Sequence, residues 1–221
     1  MIALLHTSPV HVPVFDALRD RDHPGTELRH VVDEALLERA LAEGPGAVAD
    51  RVAEIVAGAA ADGARGVLCT CSTLGATAEA AGAALGVPVL RVDRPMAAEA
   101  ARAGRVVVVA TLRGTLEPTV ALIREEARRA GREDAVAIRT VLVDGAWELF
   151  LAGDREGCLA LVAAAVDAVG DADAIVLAQA STAGAADRVA TAVPVLSSPR
   201  TGLRAAVTAG ASVPPVPPLS R

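Results

Sequence analysis

Short apolar runs of strand length alternate along the chain with longer stretches in which Ala, Leu, Glu and Arg recur at helical spacing. The runs are IALLH at 2–6, ELRHVV at 27–32, GVLCTC at 66–71, VPVLRV at 87–92, RVVVVAT at 105–111, AIRTVLV at 137–143, AIVLAQ at 174–179 and VPVLSS at 193–198. Between them the periodicity predicts helices over 45–62, 75–85, 95–103, 116–131 and 154–169. Several runs are apolar at every position rather than at alternate ones, the pattern of strands covered on both faces. The expected class is α/β, with parallel sheets flanked by helices.

The order of these elements repeats. LLHTSPVHVPVFDAL opens the first half as VVATLRGTLEPTVAL opens the second, LRHVVDEALLE matches IRTVLVDGAWEL, VLCTCSTLG matches VLAQASTAG, and VPVLRVDRP matches VPVLSSPRT. The offsets are 104, roughly 110, 109 and 106 residues, so four pieces keep their order and nearly their spacing. This predicts a duplicated α/β lobe, 1–100 and 101–205, followed by a C-terminal segment, 206–221. That segment ends in ASVPPVPPLSR, whose prolines exclude a helix and favour an extended tail.

Composition narrows the function classes. Trp147, Phe15 and Phe150 are the whole aromatic set, which leaves no stacking platform for single-stranded nucleic acid. A formal charge of -6 with scattered basic residues argues against a phosphate-backbone partner. No apolar run is long enough to cross a membrane and the N-terminus lacks the features of an export signal, so a cytoplasmic protein is expected. The thiols Cys69, Cys71 and Cys158 form no paired framework, and two cysteines two apart on a strand sit about 6.6 Å from each other, too far for an easy disulfide. Zinc would need further Cys or His at ligand spacing, so no metal is expected.

In parallel sheets, ligands gather beyond the carboxyl ends of the strands. There the first half offers Cys71-Ser72-Thr73, opening a helix of small residues. A thiol at a helix N-terminus is eased toward thiolate by the dipole, and the free N–H groups with the Ser72 and Thr73 hydroxyls could cradle a carboxylate. The alternative is a small buried hydrophobe beside ordinary capping residues. His6, Thr7 and Ser8 end the first run, where His6 could exchange a proton with Cys71 or serve as a hydrogen-bonded structural residue. His11 and His30 are weaker candidates, and His23 is expected at the surface. The second half supplies Ser181 and Thr182 at the equivalent turn, with Thr111, Thr115 and Thr119; these hydroxyls could bind a second carboxylate or cap helices. Asp93 and Asp144 also follow strands, as acid/base groups or as N-caps. Cys69 and Cys158 are read as core residues.

Taken together, VLCTCST, VPVLRVDRPMAAEA, VVATLRGTLEPT and IVLAQAST resemble the aspartate/glutamate/hydantoin racemase superfamily, which includes arylmalonate decarboxylase and maleate isomerase. The resemblance covers about 1–205. It implies two pseudo-symmetric α/β lobes with the active site in the cleft between them, no metal, no organic cofactor and a small carboxylate substrate. In two-base members a cysteine from each lobe faces each side of a carbon next to a carboxylate. Cys71 matches the first-lobe cysteine, and Ala180 stands at the second-lobe position with Gln179 just before it. His6 falls where glutamate racemases commonly carry an Asp near the first cysteine.

A symmetric two-thiol racemase is therefore disfavoured. The expectation is a cofactor-independent isomerase using Cys71 with a non-thiol partner, with Cys71 and His6 as catalytic residues and Thr7, Ser8, Ser72, Thr73, Thr111, Thr115, Ser181 and Thr182 as substrate-binding residues. Three alternatives stay open: a single-cysteine decarboxylase, a nucleophilic isomerase of the maleate type, and a non-catalytic carboxylate-binding protein. Ala/Leu-rich helices leave a homodimer open.

Overall fold

A computed structural model describes residues 1–212. These residues fall into two compact units, Met1–Val92 together with 202–212, and Asp93–Thr201. Each carries a four-stranded, wholly parallel sheet.

The first unit runs β1 (Ile2–His6), α1 (Val12–Asp22), β2 (Leu28–Val32), α2 (Ala35–Glu43), α3 (Ala49–Ala61), β3 (Val67–Cys69), α4 (Gly75–Leu85) and β4 (Val89–Arg91). Its strand order is β2-β1-β3-β4. Side chains of a strand alternate between the two faces of the sheet, so both faces of an apolar strand must be covered. Ala3, Leu5, Val67 and Cys69 pack on one face against Leu36, Val52, Val56 and Ala78 of α2, α3 and α4. Ile2, Leu4 and Leu68 pack on the other face against Phe15 of α1 and against Leu203 and Ala206.

The second unit repeats the plan with α5 (Arg94–Ala100), β5 (Arg105–Ala110), α6 (Arg113–Arg129), β6 (Ala137–Leu142), α7 (Ala146–Leu151), α8 (Arg155–Asp167), β7 (Ala174–Leu177) and β8 (Val195–Ser197), in the order β6-β5-β7-β8. Val107, Val109, Ile175 and Leu177 face Ala146, Leu159 and Val162 of α7 and α8. Val106, Val108 and Val176 face Met96, Ala97, Leu122 and Ile123 of α5 and α6. The last helix, α9 (Ser198–Ala211), begins in the second unit and passes into the first at Gly202.

The alternating apolar runs predict all eight strands, each observed strand lying within its run. The predicted 75–85 helix is α4, and the other four lie within a few residues of α3, α5, α6 and α8, with a 3-10 turn at Pro45–Val48 leading into α3. Helices α1, rich in charged residues, and α7, only six residues long, escape the prediction, as do the amphipathic α2 and α9, the latter overlapping the expected 206–221 segment. Most of the proline-rich tail lies outside the described residues. The division between units falls after Val92 rather than at residue 100, because the buried side chains of α5 complete the core around β5. Among the described residues no helix is long and apolar enough to cross a membrane.

Candidate active site

The register of β1 and β3 sets the first group of candidates. Leu5 lies beside Cys69, and the Thr70 N–H donates to the Leu5 carbonyl at 3.0 Å, which brings Thr70 level with His6. His6 continues the face of Ile2 and Leu4, and its ring packs 5.6 Å from that of Phe15. Cys71 instead packs against the opposite core, with Cys69 and Ala78. The two proposed partners thus belong to opposite faces of one sheet.

Both His6 nitrogens are engaged elsewhere: Nδ1 lies 2.8 Å from Thr70 Oγ1 and Nε2 lies 2.8 Å from His30 Nδ1. The expected His6–Cys71 dyad is therefore not formed, and alternation of side chains along the strands is the reason. His6 is wholly buried. Burial, then the neighbouring His11 and His30, lower its pKa to about 3, so it stays neutral at ordinary pH.

Cys71 also stands further from a helix than its sequence neighbours suggest. A turn intervenes in which the Leu74 N–H donates to the Cys71 carbonyl at 3.2 Å, and α4 begins only at Gly75. The half-buried thiol is free and makes no hydrogen bond among the described residues. Nearby chemistry comes from hydroxyls. Those of Thr7, Ser8 and Thr73 have no hydrogen-bond partner among the described residues.

The sequence reading missed Arg91, the last residue of β4. Its guanidinium is buried, and Nη2 donates to the Ser72 carbonyl at 3.3 Å, tying the Cys71 turn to the sheet. Only glycine at position 75 allows this, since a β-carbon there would lie 2.5 Å from Arg91 Nε. The signal available in the sequence was one charged residue inside the apolar run VPVLRV.

In the second unit the Thr111 N–H and hydroxyl both donate to Gln179 Oε1, at 2.7 and 3.0 Å. A backbone N–H can only donate, which fixes the amide: the oxygen faces Thr111 and the NH2 group is left for other partners. That NH2 makes no hydrogen bond among the described residues. Thr182 spends its hydroxyl on the Gln179 carbonyl at 2.9 Å, so it and Thr111 hold Gln179 in place. Thr115 and Ser181 keep hydroxyls without partners among the described residues, and Thr119 bonds back to the Thr115 carbonyl within α6.

Backbone hydrogen bonds revise the match between the two turns. Ala178 donates to the Val109 carbonyl as Thr70 does to that of Leu5, and Thr182 donates to the Gln179 carbonyl as Leu74 does to that of Cys71. The counterpart of Cys71 is therefore Gln179, and Ala180 corresponds to Ser72. The shared Ser-Thr pair suggested a match shifted by one residue. The turns also differ in form, since Ala180–Asp187 is a 3-10 helix where the first unit has α4.

The remaining candidates separate by burial. Asp93 is wholly buried before α5 without capping it, while Asp144 is exposed after β6. Cys158 lies in the core of α8, where burial and then Asp154 push its thiol pKa up. His23 is half-buried at the end of α1. Among the described residues no three His, Cys, Asp or Glu side chains are grouped to hold a metal ion.

Known proteins carry this architecture. The chain superposes on glutamate racemase isoform RacE1 from Bacillus anthracis with a TM-score of 0.71 at 16% identity, over 94% of this chain and 80% of that one. Glutamate racemase from Thermus thermophilus, solved with beta-chloro-D-alanine, gives 0.69 at 22% identity, over 94% and 79%. Arylmalonate decarboxylase gives 0.59 at 21% identity, over 100% and 98%. No curated protein matches the chain significantly in sequence. The sequence profile described as Asp/Glu/Hydantoin racemase matches residues 12–206, nearly the whole of both units, and the chain belongs to that family.

Proposed function

We propose that this protein is a cofactor-independent isomerase of the racemase type, acting at the carbon next to the carboxylate of a small acid, with Cys71 as its proton-transferring group. The observation that carries this reading is the Cys71 thiol itself, beyond a strand end and, among the described residues, free of hydrogen bonds, with the Thr7, Ser8 and Thr73 hydroxyls likewise without partners there. As thiolate, Cys71 takes the proton from the α-carbon; the electron pair moves into the carboxylate, giving an enediolate-like dianion that hydrogen-bond donors stabilise. An isomerase then needs a second acid to return a proton to the other face. Gln179 has no proton to exchange, and His6 is neutral with both nitrogens bonded, so the carboxylates Asp93 and Asp144 are the groups left to test.

A second reading has its own support. The counterpart of Cys71 is an amide, so the two turns hold one thiol between them. Decarboxylation needs only one proton donor: carbon dioxide leaves, its bonding pair stays on the α-carbon, the Cys71 S–H protonates that carbon, and solvent restores the thiol. On this reading the Gln179 NH2 is a donor to an anionic oxygen.

The deciding experiment incubates the protein in heavy water with a panel of small α-substituted acids and malonates, followed by proton NMR and carbon dioxide assay. Deuterium entering the α-position without carbon loss supports the isomerase, and carbon dioxide release supports the lyase. Turnover unchanged in Cys71→Ser would sink both.

A further inference from the structure

In the turn after β3, two successive carbonyls are each met by a side chain from a different strand. The Cys71 carbonyl accepts the Leu74 N–H at 3.2 Å and the Cys69 thiol at 3.6 Å. The Ser72 carbonyl accepts the Gly75 N–H at 3.4 Å and Arg91 Nη2 at 3.3 Å. From this geometry we infer that Arg91 is a positioning residue for the ligand of the Cys71 turn: by holding the Ser72 carbonyl, it aims the N–H of the same peptide, that of Thr73, at the substrate's carboxylate.

Arg91 reaches the turn because of its place in the sheet. It is paired with Cys69 across β3 and β4, and paired positions on neighbouring parallel strands project to the same face. Cys69 packs on the face that α4 covers, so Arg91 is delivered to α4 as well. A β-carbon at Gly75 would lie 2.5, 2.9 and 3.0 Å from Arg91 Nε, Cζ and Cβ, so the side chain runs closely along the first residue of that helix. The Arg91 N–H donates to Glu79 Oε1 at 3.4 Å, one turn further into α4. Packing thus orders the guanidinium in advance, and its grip on the turn does not have to be assembled when a ligand arrives.

The consequence at Thr73 follows from the peptide plane. The Ser72–Thr73 bond is trans, so its carbonyl and its N–H point in opposite directions. With the Ser72 oxygen fixed on a buried cation, the Thr73 N–H is turned away from Arg91. A carbonyl that accepts from a cation also polarises its own peptide, which makes the N–H a better donor. That N–H and the Thr73 hydroxyl have no partner among the described residues, although Thr73 is only 8% exposed. Two donors left over on so enclosed a residue suit the anionic oxygens of a carboxylate. Arg91 touches no reacting atom; it acts through the Ser72–Thr73 peptide. The inference rests on the proposed carboxylate substrate, and holds equally for the isomerase and the lyase.

The test follows the Thr73 amide of the full 15N-labelled chain by NMR while succinate is added. Succinate has neither a stereocentre nor two carboxyls on one carbon, so neither proposed reaction consumes it. In the wild type the Thr73 amide proton should move downfield and saturate. Arg91→Met fills similar space without a donor, and Gly75→Ala keeps the guanidinium but pushes it off the Ser72 carbonyl. Each should raise the succinate Kd at least about tenfold and shrink the Thr73 shift. Arg91→Lys keeps a charged donor and should recover part of both. A purely structural Arg91 would lower the urea midpoint and leave succinate binding by the folded protein unchanged. Wild-type affinity and shift in folded Arg91→Met or Gly75→Ala, or no recovery in Arg91→Lys, overturns the positioning role while the carboxylate reading stands. A wild-type Thr73 amide that succinate leaves unmoved overturns both. If Arg91→Met does not fold, Gly75→Ala decides.

Discussion

Thr111 gives both its backbone N–H and its hydroxyl to one atom, Gln179 Oε1, and so holds an amide where the first unit holds the thiol of Cys71. Two donors on one oxygen leave the amide a single orientation. Position 179 can therefore be probed for structure and for binding separately.

Gln179→Glu keeps an oxygen for Thr111 but replaces the outward NH2 with a negative acceptor. Folding should be little changed, while KM for an acidic substrate rises at least about tenfold, the scale of one lost charge-assisted bond. Gln179→Ala removes the acceptor as well and leaves the Thr111 N–H unsatisfied, which costs about 1–3 kcal/mol of stability. Urea unfolding and steady-state kinetics on the two variants separate these effects; equal stability losses in both would contradict the assignment.

Cys71→Ser should lower turnover by roughly 100-fold or more, the range for loss of a general acid/base, with little change in the thermal midpoint. Among the described residues the thiol forms no hydrogen bond, and it is half-buried, so a hydroxyl in its place strands no partner there. Circular dichroism melts beside the kinetics check both halves of the statement.

His6 predicts acid sensitivity. The unfolded chain protonates this imidazole near the ordinary 6.5, whereas the folded protein does so only near about 3. Between these values the unfolded state binds more protons, so stability is full above the upper value and falls as pH drops through the window. Between pH 7 and pH 4.5 the loss from this group is about 2 kcal/mol. His6→Asn should flatten that part of the profile, whatever its effect at neutral pH, when urea midpoints are measured across the window.

Gly75→Ala should dislodge the Arg91 guanidinium from the Ser72 carbonyl and cost about 1–3 kcal/mol, the usual range for overpacking. A double-mutant cycle with Arg91→Met tests the cause. The two losses should fall short of additive by at least about 0.5 kcal/mol if they act through one contact.

The strands were legible because apolar runs covered on both faces leave a strong local signal, and the duplication because four such signals kept their order. Helices α1 and α7 were not legible, since one is dominated by charged residues and the other spans only Ala146–Leu151. At the site, Cys71 and its hydroxyl neighbours could be read from motif and strand end. The error over His6 came from treating a strand end as a point: alternation from Leu4 to His6 and from Leu68 to Thr70 assigns His6 to Thr70, but only once the register of β1 against β3 is known. The Gln179 correction has the same root. Composition aligned the Ser-Thr pairs, while the backbone aligned the residues that accept the turn's first hydrogen bond.

Helix α9 carries a consequence for the order of events at the ribosome. Leu203 and Ala206 close the face of the first sheet formed by Ile2, Leu4 and Leu68, yet they follow the whole second unit in sequence. The amino-terminal unit, synthesised first, must wait with that face only partly covered, by Phe15 of α1, until residues near 206 emerge, while every residue of the second unit's sheet has by then left the tunnel. The half of the protein that bears Cys71 should be the later of the two to mature.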